Sequence, residues 1–413
     1  MIHVTPICPP FDVELPRLIP VRQELSTERE GALGLAVERE LARLPAIASL
    51  RPGQRIAITA GSRGIAHIAE IIAEAVAALR ARGAEPFIVP AMGSHGGATA
   101  EGQRGVLAEM GVTEEFVGAP ILATMETVEL GQIEDGTPVL MDRYAAEADG
   151  ILLINRVKPH TDFQGPIESG LAKMLAIGLG KRLGAVGIHS IGPRGLRDRI
   201  APIAHIAMAR RPVLGGLAIL ENPHEEVAAI IGLTPAEIGA AGEQALLERA
   251  RTLRATLPFR AIDLLIVDEI GKDISGTGMD TGVIERMFIP GVPEPGNMLI
   301  TCIVALSVTP VSHGNAIGMG LADVVSARLA EAVDWQTTWT NALTAGMIGP
   351  GRARLPIVGG SDEDAIKLGR LMCGVPLNQE ARVARIISTK HVQEMQISEA
   401  LLREAIRPLA LCE

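Results

Sequence analysis

The sequence predicts an α/β chain of two domains, each with a mostly parallel sheet flanked by helices. Three observations carry that prediction. Buried-strand patterns alternate with helical ones, glycine-rich loops follow the strands directly, and 413 residues at about 150 per domain leave room for more than one core.

Residues 55–60 (RIAITA) read as a buried strand, followed at once by GSRG. Over 64–82 the apolar residues Ile65, Ile68, Ile72, Val76 and Leu79 recur at helical spacing, and 86–91 (PFIVPA) give a second strand. GSHGG then leads into a helix from about Thr99. This order implies parallel pairing with right-handed crossovers, and it puts both glycine-rich loops at strand carboxyl ends, where open α/β sheets bind ligands. A two-stranded ribbon is expected over 128–142, around a turn at 134–137. Residues 150–155 (GILLIN) form another strand running into RVKPHTDF. An amphipathic helix is expected over 235–257, and 261–270 (AIDLLIVDEI) restart with a strand. The domains are therefore placed at 1–257 and 258–413. The second repeats the strand-to-glycine-loop theme in IGKDISGTG and in HGNAIGMG.

Composition narrows the function classes. A net charge of −10, with no long Lys/Arg block, argues against nucleic acid as a partner. Two Trp, one Tyr and six Phe offer few platforms for stacked bases. The apolar runs are interrupted before spanning length and no basic leader is visible, so neither a membrane partner nor export is expected. The four cysteines, Cys8, Cys302, Cys373 and Cys412, are too scattered for a thiolate metal site, and a reducing cytoplasm is the expected location. Self-association into a homo-oligomer is left open.

Of nine histidines, three stand out. His95 lies in Gly93-Ser94-His95-Gly96-Gly97, where small neighbours let a ligand approach and backbone amides can face an anion. Its bland alternative is an incidental imidazole in a tight turn. His160 follows Pro159 between Lys158 and Asp162, a cation and a carboxylate able to tune a general acid or base. His189 closes the segment ESGLAKMLAIGLGKRLGAVGIHS, in which Lys173 sits among apolar and small residues that disfavour its charged form if it is buried. A lysine snorkelling from a helix is the alternative there. His205, in IAPIAHIAMA, reads as a hydrogen-bonded core histidine.

Together GSHGG, KPHTDF, SGLAKMLAIGLG and the following IHS resemble the N-terminal half of the lactate racemase superfamily, and DEIGKDISGTGMD and HGNAIGMGLAD resemble its C-terminal half. The resemblance implies a racemase or epimerase of 2-hydroxy or sugar acids, with its active site in the cleft between domains. It also implies a nickel-pincer nucleotide (pyridinium-3-thioamide-5-thiocarboxylic acid mononucleotide with nickel) and the proteins that make it as partners. Lys173 matches the lysine that holds this cofactor through a thioamide, and His189 the histidine that ligates nickel. Ser94 and Gly96 fall at the cofactor. His95 and His160 match the two catalytic histidines, which exchange protons on opposite faces as hydride moves. Arg63 and Lys272 would anchor the substrate anion. Ala60 stands where lactate racemases carry an acidic residue, so an aliphatic or polyhydroxylated acid is expected to outrank lactate.

Two other readings use the same residues. A metal-dependent hydrolase or lyase would gather His95, His160 and His189 around a metal ion. A non-catalytic homologue would only bind a nucleotide phosphate at GSRG or GSHGG. A nicotinamide dehydrogenase is disfavoured, because no strand runs into a GxGxxG fingerprint.

Overall fold

The computed structural model describes residues 4–62 and 64–412. It divides into two compact units, one of Ser26–Arg254 and one combining Met1–Leu25 with Ala255–Glu413.

Among the described residues, the first unit carries a five-stranded sheet in the order Glu85–Pro90, Arg55–Ala60, Gly150–Arg156, Val213–Glu221, Val227–Leu233. The first four strands are parallel, and the last returns antiparallel at the edge. The alternation of side chains explains why GILLIN is apolar throughout. Ile151 and Leu153 enter the core on one face, Leu152 and Ile154 the core on the other, and all four are fully buried. Each such side chain contributes about 1.5–3 kcal/mol by leaving water. The helices Ile68–Arg80 and Ala100–Glu109 follow the first two strands as expected, the second capped by Thr99 Oγ1 accepting from Gly102 N at 3.0 Å. The ribbon forms as Thr127–Gln132 against Pro138–Asp142.

Among the described residues, the second unit holds an eight-stranded sheet. Ile357–Gly359, Val324–Ser326, Leu299–Val308, Ala261–Ile270 and Val383–Ile386 run parallel, and Glu394–Ser398, Leu18–Gln23 and Leu409–Leu411 extend the sheet antiparallel.

Three expectations need correction. The first 25 residues group with the C-terminal unit, because Leu18–Gln23 completes that sheet between Glu394–Ser398 and Leu409–Leu411. The later division falls at Arg254 rather than at 257. The helix expected over 235–257 spans only Ala241–Leu253, since Glu237 accepts from Thr234 N and Oγ1 at 2.8 and 2.7 Å and turns the chain before it. Among the described residues no helix is long and apolar enough to cross a membrane.

Candidate active site

The loops after Ala60, Pro90 and Arg156 leave the same edge of the parallel sheet in the Ser26–Arg254 unit. Between them lies a cavity of about 140 Å³, whose wall includes Ser62, His95, Arg156, Lys158, Ser169 and Lys173. Three of these six, Arg156, Lys158 and Lys173, are basic side chains. Arg156 is ion-paired with Glu221, which also accepts from Ala66 N at 2.8 Å and so ties down the first loop.

Lys173 reaches the cavity through an unusual local structure. It ends a short helical turn, Leu171–Lys173, and is followed by a π-helical turn over Met174–Gly178 in which Leu179 N donates to Met174 O at 2.9 Å. The widened turn brings Gly178 against the second loop, where its carbonyl accepts from Gly93 N at 3.2 Å. A Cβ on Gly178 would lie 2.6 Å from Ala91 O, so only glycine permits this approach. The buried Glu243 accepts from Ala172 N at 3.2 Å and Gly239 N at 2.8 Å, capping the turn that carries Lys173. Lys173 Nζ donates to Ser169 Oγ at 3.3 Å.

His95 is exposed, in a loop where Gly93, Gly96 and Gly97 all have positive φ. Its Nδ1 donates to Met92 O at 2.8 Å, which makes Nε2 the basic nitrogen. Beneath it lies a buried network. Gln103 Nε2 donates to Gly93 O at 2.9 Å and to His95 O at 3.5 Å, while Gln103 Oε1 accepts from Lys181 Nζ at 3.0 Å. Lys181 also donates to Pro90 O and pairs with Asp142 at 3.0 Å. Burial pushes the Asp142 carboxyl up and the Lys181 ammonium down, each opposed by the other's charge.

His160 lies deeper, its side chain 14% exposed and its ring 4.7 Å from that of Phe163. Its Nδ1 accepts from Asp162 N at 3.1 Å, so the hydrogen of the neutral ring sits on Nε2. The Asp162 carboxylate is 3.9 Å from the same Nδ1. Burial, followed by the Lys173 ammonium, holds the His160 pKa well below 6.5, and Asp162 opposes them. His189, exposed at the end of the helix Lys181–His189, donates from Nδ1 to Ala185 O at 2.7 Å and presents Nε2 outward as a potential metal ligand.

The structure thus brings His95 and Lys173 onto one cavity wall; His160 and His189 are not part of that wall, although His160 lies within electrostatic reach of both Lys173 and His189. Among the described residues, no three His, Cys, Asp or Glu side chains are arranged to hold a metal ion. Ser94 and Gly96 are not part of the cavity wall. A Cβ on Gly96 would meet Gly102 C at 2.4 Å, so this glycine serves the packing of the following helix. Arg63 lies outside the described residues. Lys272 belongs to the other unit, where its Nζ donates to Gly276 O at 2.7 Å and Asn341 Oδ1 at 3.1 Å. His205 is exposed on its helix rather than in the core. Sequence reasoning missed Gln103, Glu168, Lys181 and Glu243, polar side chains that only the fold shows to be buried.

His95 and Lys173 thus share a cavity at the strand ends of an α/β sheet. The family model described as the lactate racemase N-terminal domain matches residues 25–190. The matched stretch contains all four of His95, His160, Lys173 and His189. Among solved structures the chain is similar to the lactate racemase apoprotein from Thermoanaerobacterium thermosaccharolyticum, at 12% identity over 86% of each chain with a TM-score of 0.44. No curated protein matches the chain.

Proposed function

We propose that this protein is a racemase or epimerase of an anionic 2-hydroxy or sugar acid, working by reversible hydride transfer with a nickel-pincer nucleotide. The observation that carries the proposal is the pairing of His95 and Lys173 in one cavity, with His160 beside them in the opposite tautomer.

The residues present fit that cofactor. Lys173 offers a primary amine in the cavity wall, and His189, with Nδ1 committed to Ala185 O, offers Nε2 to a metal. Lys173 would hold the pyridinium-derived ring and His189 the nickel; the bound group supplies a hydride acceptor. Production of the loaded protein then calls for cofactor-biosynthesis proteins as partners.

The chain's own residues handle substrate and protons. Arg63 would fork onto the substrate carboxylate. His95 Nε2 would take the hydroxyl proton. His160, once also protonated at Nδ1 beside the Asp162 carboxylate, would return a proton from Nε2 and be left as the Nδ1–H form, which could take one back for the opposite hand. An anionic substrate adds negative charge beside His160 and opposes the depression of its pKa.

Incubating loaded protein with a panel of 2-hydroxy and sugar acids in deuterated water, followed by chiral chromatography and mass analysis, tests this reading. Inversion with an unlabelled C2 position is expected. Rapid deuterium uptake at C2 would point to a carbanion route instead, and turnover confined to neutral sugars would leave Arg63 without its assigned task.

A further inference from the structure

Glu168 is 2% exposed and takes no part in the proton exchange, yet both of its oxygens are fully engaged. Oε2 accepts from His160 N at 2.6 Å, and Oε1 accepts from Gly165 N at 3.0 Å and Arg251 Nη2 at 2.6 Å. Burying a carboxylate is tolerable only when its acceptor sites are filled, and these three donors fill them. Two donors belong to one loop, which is closed at its base by Lys158 N to Ser169 O at 3.0 Å and Ser169 N to Lys158 O at 3.3 Å. The carboxylate therefore holds the middle of a loop whose ends are already joined.

This clamp acts on the chemistry through the backbone. With the amides of His160 and Gly165 both aimed at Glu168, the intervening turn directs Asp162 N to His160 Nδ1, the contact that puts the ring hydrogen on Nε2. The competing partner of Nδ1, the Asp162 carboxylate at 3.9 Å, would favour a hydrogen on Nδ1 instead. Which partner wins depends on the turn, and the turn depends on the clamp.

We propose that Glu168 is a positioning residue that fixes the tautomer of His160, with Arg251 holding its carboxylate in place. The proposal rests on the reading of His160 as a proton-exchanging residue. Its test, however, requires neither cofactor nor substrate.

The experiment is ring nitrogen NMR at pH 8 on the full chain labelled with 15N-histidine, with His160 assigned by its loss in His160→Gln. In the unsubstituted chain His160 should appear as the Nε2–H form. Glu168→Gln replaces an acceptor oxygen with a donor, so the Nδ1 resonance should move toward the protonated type and Nε2 toward the unprotonated type, while His95 and His189 stay Nδ1–H. Arg251→Met, at a side chain 35% exposed, should give the same shift in smaller degree, and it decides the matter if Glu168→Gln fails to fold. Folded variants in which His160 remains wholly Nε2–H would overturn the proposal. A shifted tautomer in a chain that inverts no hydroxy acid would instead uphold the clamp and reject the racemase reading.

Discussion

The loops bearing His95 and His160 leave the same sheet edge one strand apart, and they are held in opposite ways. The His95 loop is short, built on positive-φ glycines, and supported from below by the buried Lys181–Gln103 pair. The His160 loop is longer, closes on itself, and is pinned from within by one carboxylate. Their imidazoles end in complementary states: a carbonyl fixes His95 with a bare Nε2, and an amide fixes His160 with a hydrogen on Nε2. The backbone around each ring fixes these opposite tautomers.

The largest effect should come from neither loop. Lys173→Ala should abolish activity, because the proposed role is covalent, while far-UV circular dichroism stays unchanged; substantial turnover by the variant would remove the lysine from the mechanism. Next come the two histidines themselves. His95→Gln and His160→Gln should each lower kcat by about 10²- to 10⁴-fold, the range for a lost general acid or base. If only one matters, steady-state kinetics will show it, and the paired-histidine account fails.

The supports should separate the loops by stability. Lys181→Met leaves Asp142 buried without its partner and should cost about 3–5 kcal/mol in urea unfolding. Adding Asp142→Asn should recover much of that loss. A Lys181→Met variant as stable as the parent would mean that the His95 loop does not lean on this ion pair.

The smallest predicted effect is a pH slope. The folded His160 pKa lies well below 6.5, so below that pH the unfolded chain binds more protons than the folded one. Stability should therefore be intact above pH 6.5 and decline as the pH falls, by up to about 1.4 kcal/mol per pH unit from this group. Unfolding curves collected across that window should be flatter for His160→Gln. Equal slopes would assign the pH dependence to other groups.

What could be read from the sequence follows the range of the interactions. RIAITA, PFIVPA and GILLIN identified themselves because a strand buried on both faces must be apolar at every position. His95, His160, Lys173 and His189 stood out because their neighbours are small, stiff or charged. The pairing of Leu18–Gln23 with Glu394–Ser398 could not be seen, since no local pattern specifies a partner some 370 positions away. Nor could the roles of Glu168, Lys181 and Glu243, because a carboxylate or ammonium shows itself as a clamp only once the tertiary fold has buried it. The π-helical turn after Lys173 was hidden for a related reason: it depends on Gly178 meeting Ala91 across the sheet edge.

The account depends most on what Lys173 carries. The direct measurement is intact and peptide mass analysis of the chain produced together with the cofactor-making proteins. A nucleotide-sized adduct mapping to Lys173, accompanied by nickel and absent from Lys173→Ala, is the predicted result. A chain that inverts hydroxy acids with Lys173 unmodified would contradict it.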